Sequence, residues 1–524
     1  MQRYFNTEGL CSPSKHYMVN LEDRLYRMKS YYVERGSYFV INRGRQYGKT
    51  TILRALAEYL KVEYVVVFMD FQMLSTKNFE DEASFSKAFA KMFLSAFPNT
   101  QMEESEELLS PIAGFIERKQ NDSLDELFLC LSQMCSEAPR PVVLLIDEVD
   151  QASNHQIFID FLAMLRGYYL NRENRAAFHS VILAGVYDIK NLKLKLRRED
   201  EHKYNSPWNI AARFNIDMSF SVNEIAAMLK EYEREHHVGM DTGSVAKEIY
   251  EYTSGYPYLV SSICKWIDEE LSGKADVWTK SGVAAAVKSI LNERTPLFES
   301  MIRQLNEYPE MKSMLHAVLF EGRRIGYHID NPMINLAVMF GYIINKENSI
   351  QVANRIFEMC LYNLFLSEEE LESAIGVEAE RNQSQFIRSG RLDMDLVLEK
   401  FVLYYTDIYK GYDGKFLEEH GRKIFLLYLK PIINGTGNYY IEAQTRDARR
   451  TDIIVDYLGE QFIIETKIWR GDEYNERGER QLKDYLDYYH LKKGYLLSFN
   501  FNKNKKAGMR QIQIGDRTII EAIV

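Results

Sequence analysis

Apolar positions along the chain change their spacing several times, and each change marks an element. In Tyr38-Phe39-Val40-Ile41, Tyr64–Asp70, Val142–Asp147 and Ser180–Val186 the apolar residues run nearly unbroken, the pattern of strands covered on both faces. Between them the spacing lengthens, as in Thr51-Ile52-Leu53-Arg54-Ala55-Leu56, which predicts an amphipathic helix. Strand and helix in alternation predict an α/β fold with a doubly wound parallel sheet over residues 36 to about 220. A helix over Leu21 to Val33 precedes it.

Residues 221 to about 290 turn helical, with Ile225-Ala226-Ala227-Met228-Leu229 on an apolar stripe. Within them Gly255 stops one helix and Pro257 starts the next. Residues 291 to 370 are mostly helical and lead into Phe340–Val352, a strand–turn–strand. Helices followed by such a hairpin resemble a winged helix. The hairpin carries no basic cluster, so a structural lid without DNA contact is the first reading. The acidic run Leu366 to Glu380 reads as a domain boundary. The organisation predicted is 1–220, a P-loop domain; 221–290, a helical lid; 291–375, a winged-helix-like region; and 376–524, a second α/β domain.

The chemistry concentrates first at Asn42-Arg43-Gly44-Arg45-Gln46-Tyr47-Gly48-Lys49-Thr50-Thr51. A Gly-Lys-Thr between a strand and a helix turns backbone N–H groups and the helix dipole toward an anion. Arg45, Gln46, Tyr47, Gly48 and Thr51 belong to that cradle. Lys49 suits the β- and γ-phosphates, and the Thr50 hydroxyl suits Mg²⁺. The second half of a nucleoside triphosphate site is the apolar strand ending Asp147-Glu148. Asp147 suits the magnesium shell and Glu148 the polarisation of an attacking water. Tyr187 and Asp188, after the next strand, are candidate γ-phosphate sensors, and Arg166 and Arg213 candidate arginine fingers. The usual first glycine of a P-loop is Arg43 here, with Gly44 one step later.

Bulk properties narrow the partners. A net charge of −10 excludes a bulk polyanion binder, so any nucleic-acid contact needs a local basic surface. Five scattered Cys offer neither a disulfide framework nor zinc spacing, which suits a reducing cytoplasmic setting. No apolar run reaches the length of a membrane span.

A second constellation follows the acidic run. A helix over Lys415–Leu429, carrying Glu418 and Glu419, precedes strands Tyr439–Ala443, Arg450–Tyr457 and Gln461–Trp469. Asp452 enters the second strand, and Glu465-X-Lys467 lies in the third, on one face by period two. Two carboxylates and a lysine are what metal-assisted phosphodiester hydrolysis requires. Asp452 and Glu465, with the Thr466 carbonyl, suit a divalent metal; Glu418 or Glu419 completes its shell, Glu418 being preferred; Lys467 handles the water. Arg446, Arg449, Arg450, Lys467, Arg470, Lys503, Lys505 and Lys506 form a local positive surface. Trp469 and Tyr474 are candidates for base stacking.

On these residues, positions 36 to 290 resemble the archaeal-type, AAA-like P-loop ATPases related to signal-transduction NTPases. Their variant loop often reads Arg-Pro-Arg-Arg-Phe-Gly-Lys-Ser, which Arg43–Thr50 follows better than the standard P-loop. Gly255-Tyr256-Pro257 resembles the Gly-X-Pro of their helical lid. Residues 414 to 500 resemble the PD-(D/E)XK nuclease superfamily, with Gln481 and Tyr485 placed as in its RecB-like branch and Thr451 standing for the motif's Pro. The resemblance implies an ATPase joined to a metal-dependent nuclease. It implies ATP and Mg²⁺ as cofactors, with Mn²⁺ a second candidate at the nuclease-like site. It also implies nucleic acid as partner, DNA before RNA, and a nucleotide-dependent homo-oligomer. The rival is a nucleotide-controlled switch whose C-terminal domain docks DNA or a partner without cutting.

Overall fold

The computed structural model describes residues 2–97, 105–118, 123–186, 208–270, 277–320, 323–370, 385–408, 418–433, 437–442, 451–468, 479–480, 482–483, 485–487, 489, 491–501 and 506–524. It divides into two compact units. The first comprises Met1–Tyr250, Ser254–Glu269 and Asn335–Gly341; the second comprises Glu251–Thr253, Glu270–Ile334 and Tyr342–Val524.

The first unit begins with helix α1 (Glu22–Met28), which loosens into a π-turn over Lys29–Val33. The single helix expected over 21–33 is therefore two geometries: Glu34 N–H bonds back to the Lys29 carbonyl, five residues away. Strand β1 (Phe39–Asn42), helix α2 (Lys49–Leu60), strand β2 (Val65–Asp70), helices α3 (Glu82–Ala96), α4 (Ser105–Glu117) and α5 (Leu124–Glu137), strand β3 (Val142–Asp147), helix α6 (Gln156–Leu170) and strand β4 (Ser180–Gly185) follow. The sheet is parallel, in the order β1-β4-β3-β2. A parallel bridge from Phe39 to Ala212 extends its β1 edge. All six residues of β3 are buried. That is why its sequence shows no alternation: Val143 and Leu145 pack with Leu53 and Leu56 of α2, while Leu144 and Ile146 face the phenylalanines of α3 and α6.

Helices α7 (Val222–His236), α8 (Thr242–Thr253) and α9 (Pro257–Glu270) occupy the stretch expected as a helical lid, called the lid below. Ser221 and Glu224 cap α7 reciprocally. Glu224 also pairs with the buried Arg24 of α1, whose guanidinium donates to the Asp217 and Ser219 carbonyls at 3.0 and 2.7 Å. Between α8 and α9, Gly255 has φ +74°, and a Cβ there would come within 2.0 Å of the Phe220 carbonyl oxygen. Only glycine tolerates both conditions.

The middle of the chain holds α10 (Lys280–Asn292), α11 (Pro296–Glu307), α12 (Pro309–Phe320), α13 (Pro332–Met339), the hairpin β5 (Ile343–Lys346) and β6 (Ser349–Val352), and α14 (Arg355–Glu370). The hairpin turns at Glu347 and Asn348, both at positive φ, as a two-residue turn requires. Helix α14 continues through Glu370, so the acidic run read as a domain boundary opens as helix, and its residues 371–380 lie outside the described residues. Glutamate is a good helix former, and charge alone does not end a helix.

Beyond it lie the short pair β7 (Ile387–Arg388) and β8 (Arg391–Leu392), then α15 (Met394–Ile408) and α16 (Glu418–Ile433). The second unit's main sheet contains β9 (Gly437–Glu442), β10 (Thr451–Tyr457), β11 (Glu460–Ile468), β12 (Lys493–Phe499), β13 (Gly508–Ile514) and β14 (Arg517–Ile523), in the order β13-β14-β12-β11-β10-β9. Strands β9, β10 and β11 form an antiparallel meander, turned at Leu458-Gly459, and β12 lies parallel to β11. No described helix is long and apolar enough to cross a membrane.

Gly255→Ala should destabilise the first unit by at least about 1–3 kcal/mol, the cost of a strained backbone position. Denaturant unfolding followed by intrinsic fluorescence measures it, and an unchanged first transition would contradict the packing described.

Candidate nucleotide site

The loop between β1 and α2 owes its shape to two left-handed residues, Gln46 at φ 55° and Gly48 at φ 76°. Such reversals turn successive N–H groups inward, as anion nests do. Gly44 has another reason to be glycine. A Cβ there would sit 2.6 Å from the Phe340 carbonyl oxygen, just after α13. Arg43, in the place of the usual glycine, points away from the cradle. Its guanidinium donates to the carbonyls of Asn42 and Ile216 at 2.9 and 3.1 Å and lies over the Phe214 ring.

Lys49 is buried, and its Nζ donates to the carbonyls of Arg43 and Gly44, both at 3.0 Å. Burial pulls the ammonium's pKa down; the carboxylates of Asp150, Glu148 and Asp147 oppose that shift. Asp147 is 1% exposed at the end of β3. Its Oδ1 accepts the Glu148 N–H at 2.9 Å, and its Oδ2 is buried without a hydrogen-bond partner. The neighbouring Thr50 hydroxyl favours the charged form of this carboxyl group. An unmatched carboxylate oxygen beside a hydroxyl is a donor set suited to a hard divalent cation such as Mg²⁺. Burial raises the pKa of Asp147 and of Glu148 above the ordinary carboxylate range. Glu148 itself adopts φ 52°, a strained position for a non-glycine residue.

A cavity of about 290 Å³ opens over this loop. Gln46, Tyr47, Gly48, Lys49, Thr50, Thr51 and Glu148 line its floor; Met228, Pro257 and Tyr258 line it from the lid, and Met18 and Val19 from the N-terminal segment. That segment is strapped to α7: Arg3 pairs with Glu231 and Glu235, and the Tyr17 hydroxyl donates to Glu235 at 2.5 Å. The Thr51 hydroxyl accepts the Cys11 N–H at 3.3 Å, so it serves the strap.

Of the residues expected at this site, Lys49, Thr50, Asp147 and Glu148 converge, and Gln46, Tyr47, Gly48 and Thr51 line the cavity. The Arg45 side chain is exposed, and its carbonyl instead accepts the Tyr256 hydroxyl. The Tyr256 ring meets Tyr47 edge-on at 4.6 Å. The lid's Gly-Tyr-Pro thus touches the phosphate loop, a contact that sequence spacing does not reveal. Neither Arg166 nor Arg213 lines the cavity, and Tyr187 and Asp188 lie outside the described residues. Sequence reasoning passed over Asp150, whose Oδ2 accepts the Val186 N–H at 2.6 Å. The doubled acid of Asp147-Glu148-Val149-Asp150 was its only signal.

In the second unit Glu465 and Lys467 share a face of β11, with Nζ and Oε1 3.0 Å apart and Glu465 fully buried. Asp452 precedes Ile453, whose register partner is Ile464, the residue before Glu465. The side chains of Asp452, Glu418 and Glu419 lie outside the described residues, as do Arg446, Arg449, Arg450, Trp469, Arg470, Tyr474, Gln481, Lys503 and Lys505. Among the described residues no group of three metal-ligating side chains occurs.

A parallel sheet with a lysine-bearing glycine loop and an acid pair at its carboxyl edge defines a P-loop ATPase. The model of the AAA-like domain family matches residues 13–363, and the chain belongs to that family. No curated protein matches it. Among solved structures it is similar to a Walker-type ATPase of Pyrococcus abyssi, at 15% identity and TM-score 0.47, covering 68% of this chain and 99% of that one. It is also similar to the Thermotoga maritima RuvB Holliday junction branch migration motor, at 12% identity and TM-score 0.33, covering 64% and 92%. The Aeropyrum pernix Orc1 protein, solved in complex with DNA, matches at 12% identity and TM-score 0.31, covering 66% and 93%.

The raised pKa of Asp147 has a consequence for the nucleotide-free protein. Between about 4, the ordinary carboxylate value, and the raised one, the folded chain binds more of a proton there than the unfolded chain, so stability falls as pH rises through that window. Asp147→Asn should therefore melt a few degrees higher, on the order of the shift that about 1 kcal/mol produces, near neutral pH without nucleotide, and the gap should narrow as pH falls toward 4. Calorimetry across that range decides it; a lower melting temperature at neutral pH would contradict the burial argument.

Proposed function

We propose that the first unit binds ATP with Mg²⁺ and hydrolyses it slowly. The observation that carries this reading is the convergence of Lys49, Thr50, Asp147 and Glu148 in one site beside a cavity. Lys49 gives up two neutral carbonyls for phosphate oxygens, a stronger charge-assisted pairing. Thr50 and Asp147 would hold the metal, which neutralises phosphate charge when bound. Glu148, poised on its strained turn and with a raised pKa, orients the attacking water and draws off its proton. Residues of the N-terminal strap and of the 221–290 helices line the cavity's other walls.

Lys49→Ala should abolish measurable nucleotide affinity, while Glu148→Gln should bind ATP like the wild type and lose turnover by roughly 10²–10⁴-fold, the span of a general base. Phosphate release under saturating ATP measures the second effect. Equal rates in wild type and Glu148→Gln would remove Glu148 from the reaction.

A second activity is proposed for the other unit: metal-dependent phosphodiester cleavage of nucleic acid, DNA before RNA. The favouring observation is the Glu465–Lys467 pair, a buried carboxylate and an ammonium held side by side on one strand. Asp452, Glu465 and a carboxylate of α16, Glu418 in preference, would hold Mg²⁺ or Mn²⁺; Lys467 would orient the water. The ATP state would then govern access to this centre or assembly with further copies. Asp452→Ala should abolish cleavage of a DNA panel in Mg²⁺ or Mn²⁺ buffer and leave ATP hydrolysis within about threefold of wild type, as expected for sites that share no residues. Equal cutting by both proteins would return the unit to the rival role, docking without cleavage.

A further inference from the structure

Three hydrogen bonds and one close approach converge where the ends of β3 and β4 meet the phosphate loop. Asp150 lies in the single turn of 3₁₀ helix after Glu148. Its Oδ2 accepts the Val186 N–H, the first residue past β4, at 2.6 Å. The Gly185 carbonyl accepts the Arg43 N–H at 3.3 Å, and the Arg43 carbonyl accepts from Lys49 Nζ at 3.0 Å. A Cβ at Gly185 would come within 2.8 Å of Asp150 Oδ1. The absence of a side chain at Gly185 is thus what lets the carboxylate reach the strand end. The circuit runs from the turn bearing Glu148, through Asp150, to β4, then to Arg43 and the catalytic lysine.

We infer that Asp150 is a positioning residue for ATP hydrolysis, clamping the end of β4 to the turn that carries Glu148 and so setting Glu148 against the loop that holds the phosphates. The inference rests on the ATPase reading. Asp150 does not line the cavity, so it acts through its neighbours. The clamp needs an acceptor oxygen at the Val186 N–H rather than a charge. A carboxylate bonded to a backbone N–H is a strong acceptor, and an amide oxygen in its place keeps the geometry. A 1 Å misplacement of a reacting group can lower turnover by about 10²-fold, while phosphate binding rests on other residues.

The test compares wild type, Asp150→Ala, Asp150→Asn and Gly185→Ala in the full chain. Steady-state ATP hydrolysis, ADP affinity, thermal melting and amide hydrogen exchange at Val186 are read for each. Asp150→Ala should lower kcat by roughly 10–10²-fold, with KM and ADP affinity within about threefold, and should lose protection at Val186. Asp150→Asn should restore kcat to within about threefold of wild type and regain that protection, since it keeps the acceptor. Gly185→Ala, whose Cβ would crowd both the carboxylate and the Val149 methyl, should also lower kcat and lose protection at Val186. Wild-type kcat in Asp150→Ala overturns the inference. So does Asp150→Asn matching Asp150→Ala, because charge and not the hydrogen bond would then be acting. If the wild type binds ATP without hydrolysing it, the ATPase reading falls and the positioning role falls with it. Exchange at Val186 still judges the clamp itself: unchanged protection in Asp150→Ala refutes it.

Discussion

The structure of the first unit turns on one buried cation. Lys49 is held under its loop by two backbone carbonyls and the field of three nearby carboxylates. Burying an ammonium is costly unless it is paired and hydrogen-bonded, and carbonyls are a weak substitute for an anion. Much of the local architecture keeps that arrangement in place. The fully covered strand β3 delivers Asp147 and Glu148 at one end. Parallel pairing with β2 and β4 fixes that end relative to the loop after β1. Asp147 keeps an oxygen without a hydrogen-bond partner, and Glu148 sits in a strained backbone region. Such unsatisfied features destabilise the empty fold and are stabilised when phosphate and metal arrive.

The loop is also tied to its surroundings by contacts that depend on missing side chains. Gly44 lets the Phe340 carbonyl approach, and Gly255 lets the chain pass Phe220 so that Tyr256 reaches the Arg45 carbonyl. The lid is therefore hydrogen-bonded to the loop that would grip the phosphates. A ligand that moves the loop changes these contacts directly, which is the physical requirement for coupling nucleotide state to the lid.

Much of this was legible in sequence because burial on both faces leaves an unmistakable run. The strands of the first sheet, the Gly-Lys-Thr helix start and the Asp-Glu strand end all follow from local pattern. The meander carrying Glu465 and Lys467 was legible too, because period two and a Leu-Gly turn are local signals. What sequence did not show is what depends on tertiary approach. The displaced Gly44 reads as a departure from a motif until Phe340 is seen against it. The π-turn at Lys29–Val33 breaks a helix whose apolar spacing is continuous. Strands β12 to β14 supply half of the second sheet, and Asp150 and Tyr256 act through backbone groups far away in sequence.

The central claim is that this loop and strand end form a site for a nucleoside triphosphate with its metal. Thermal unfolding of the full chain, recorded with rising Mg²⁺·ATP, tests it most directly. Binding to the folded state alone stabilises by about 2.7 kcal/mol at a hundredfold excess over Kd. The melting temperature of the first unit should rise saturably, requiring the triphosphate and enhanced by the metal. A melting profile indifferent to Mg²⁺·ATP up to millimolar concentration would contradict it.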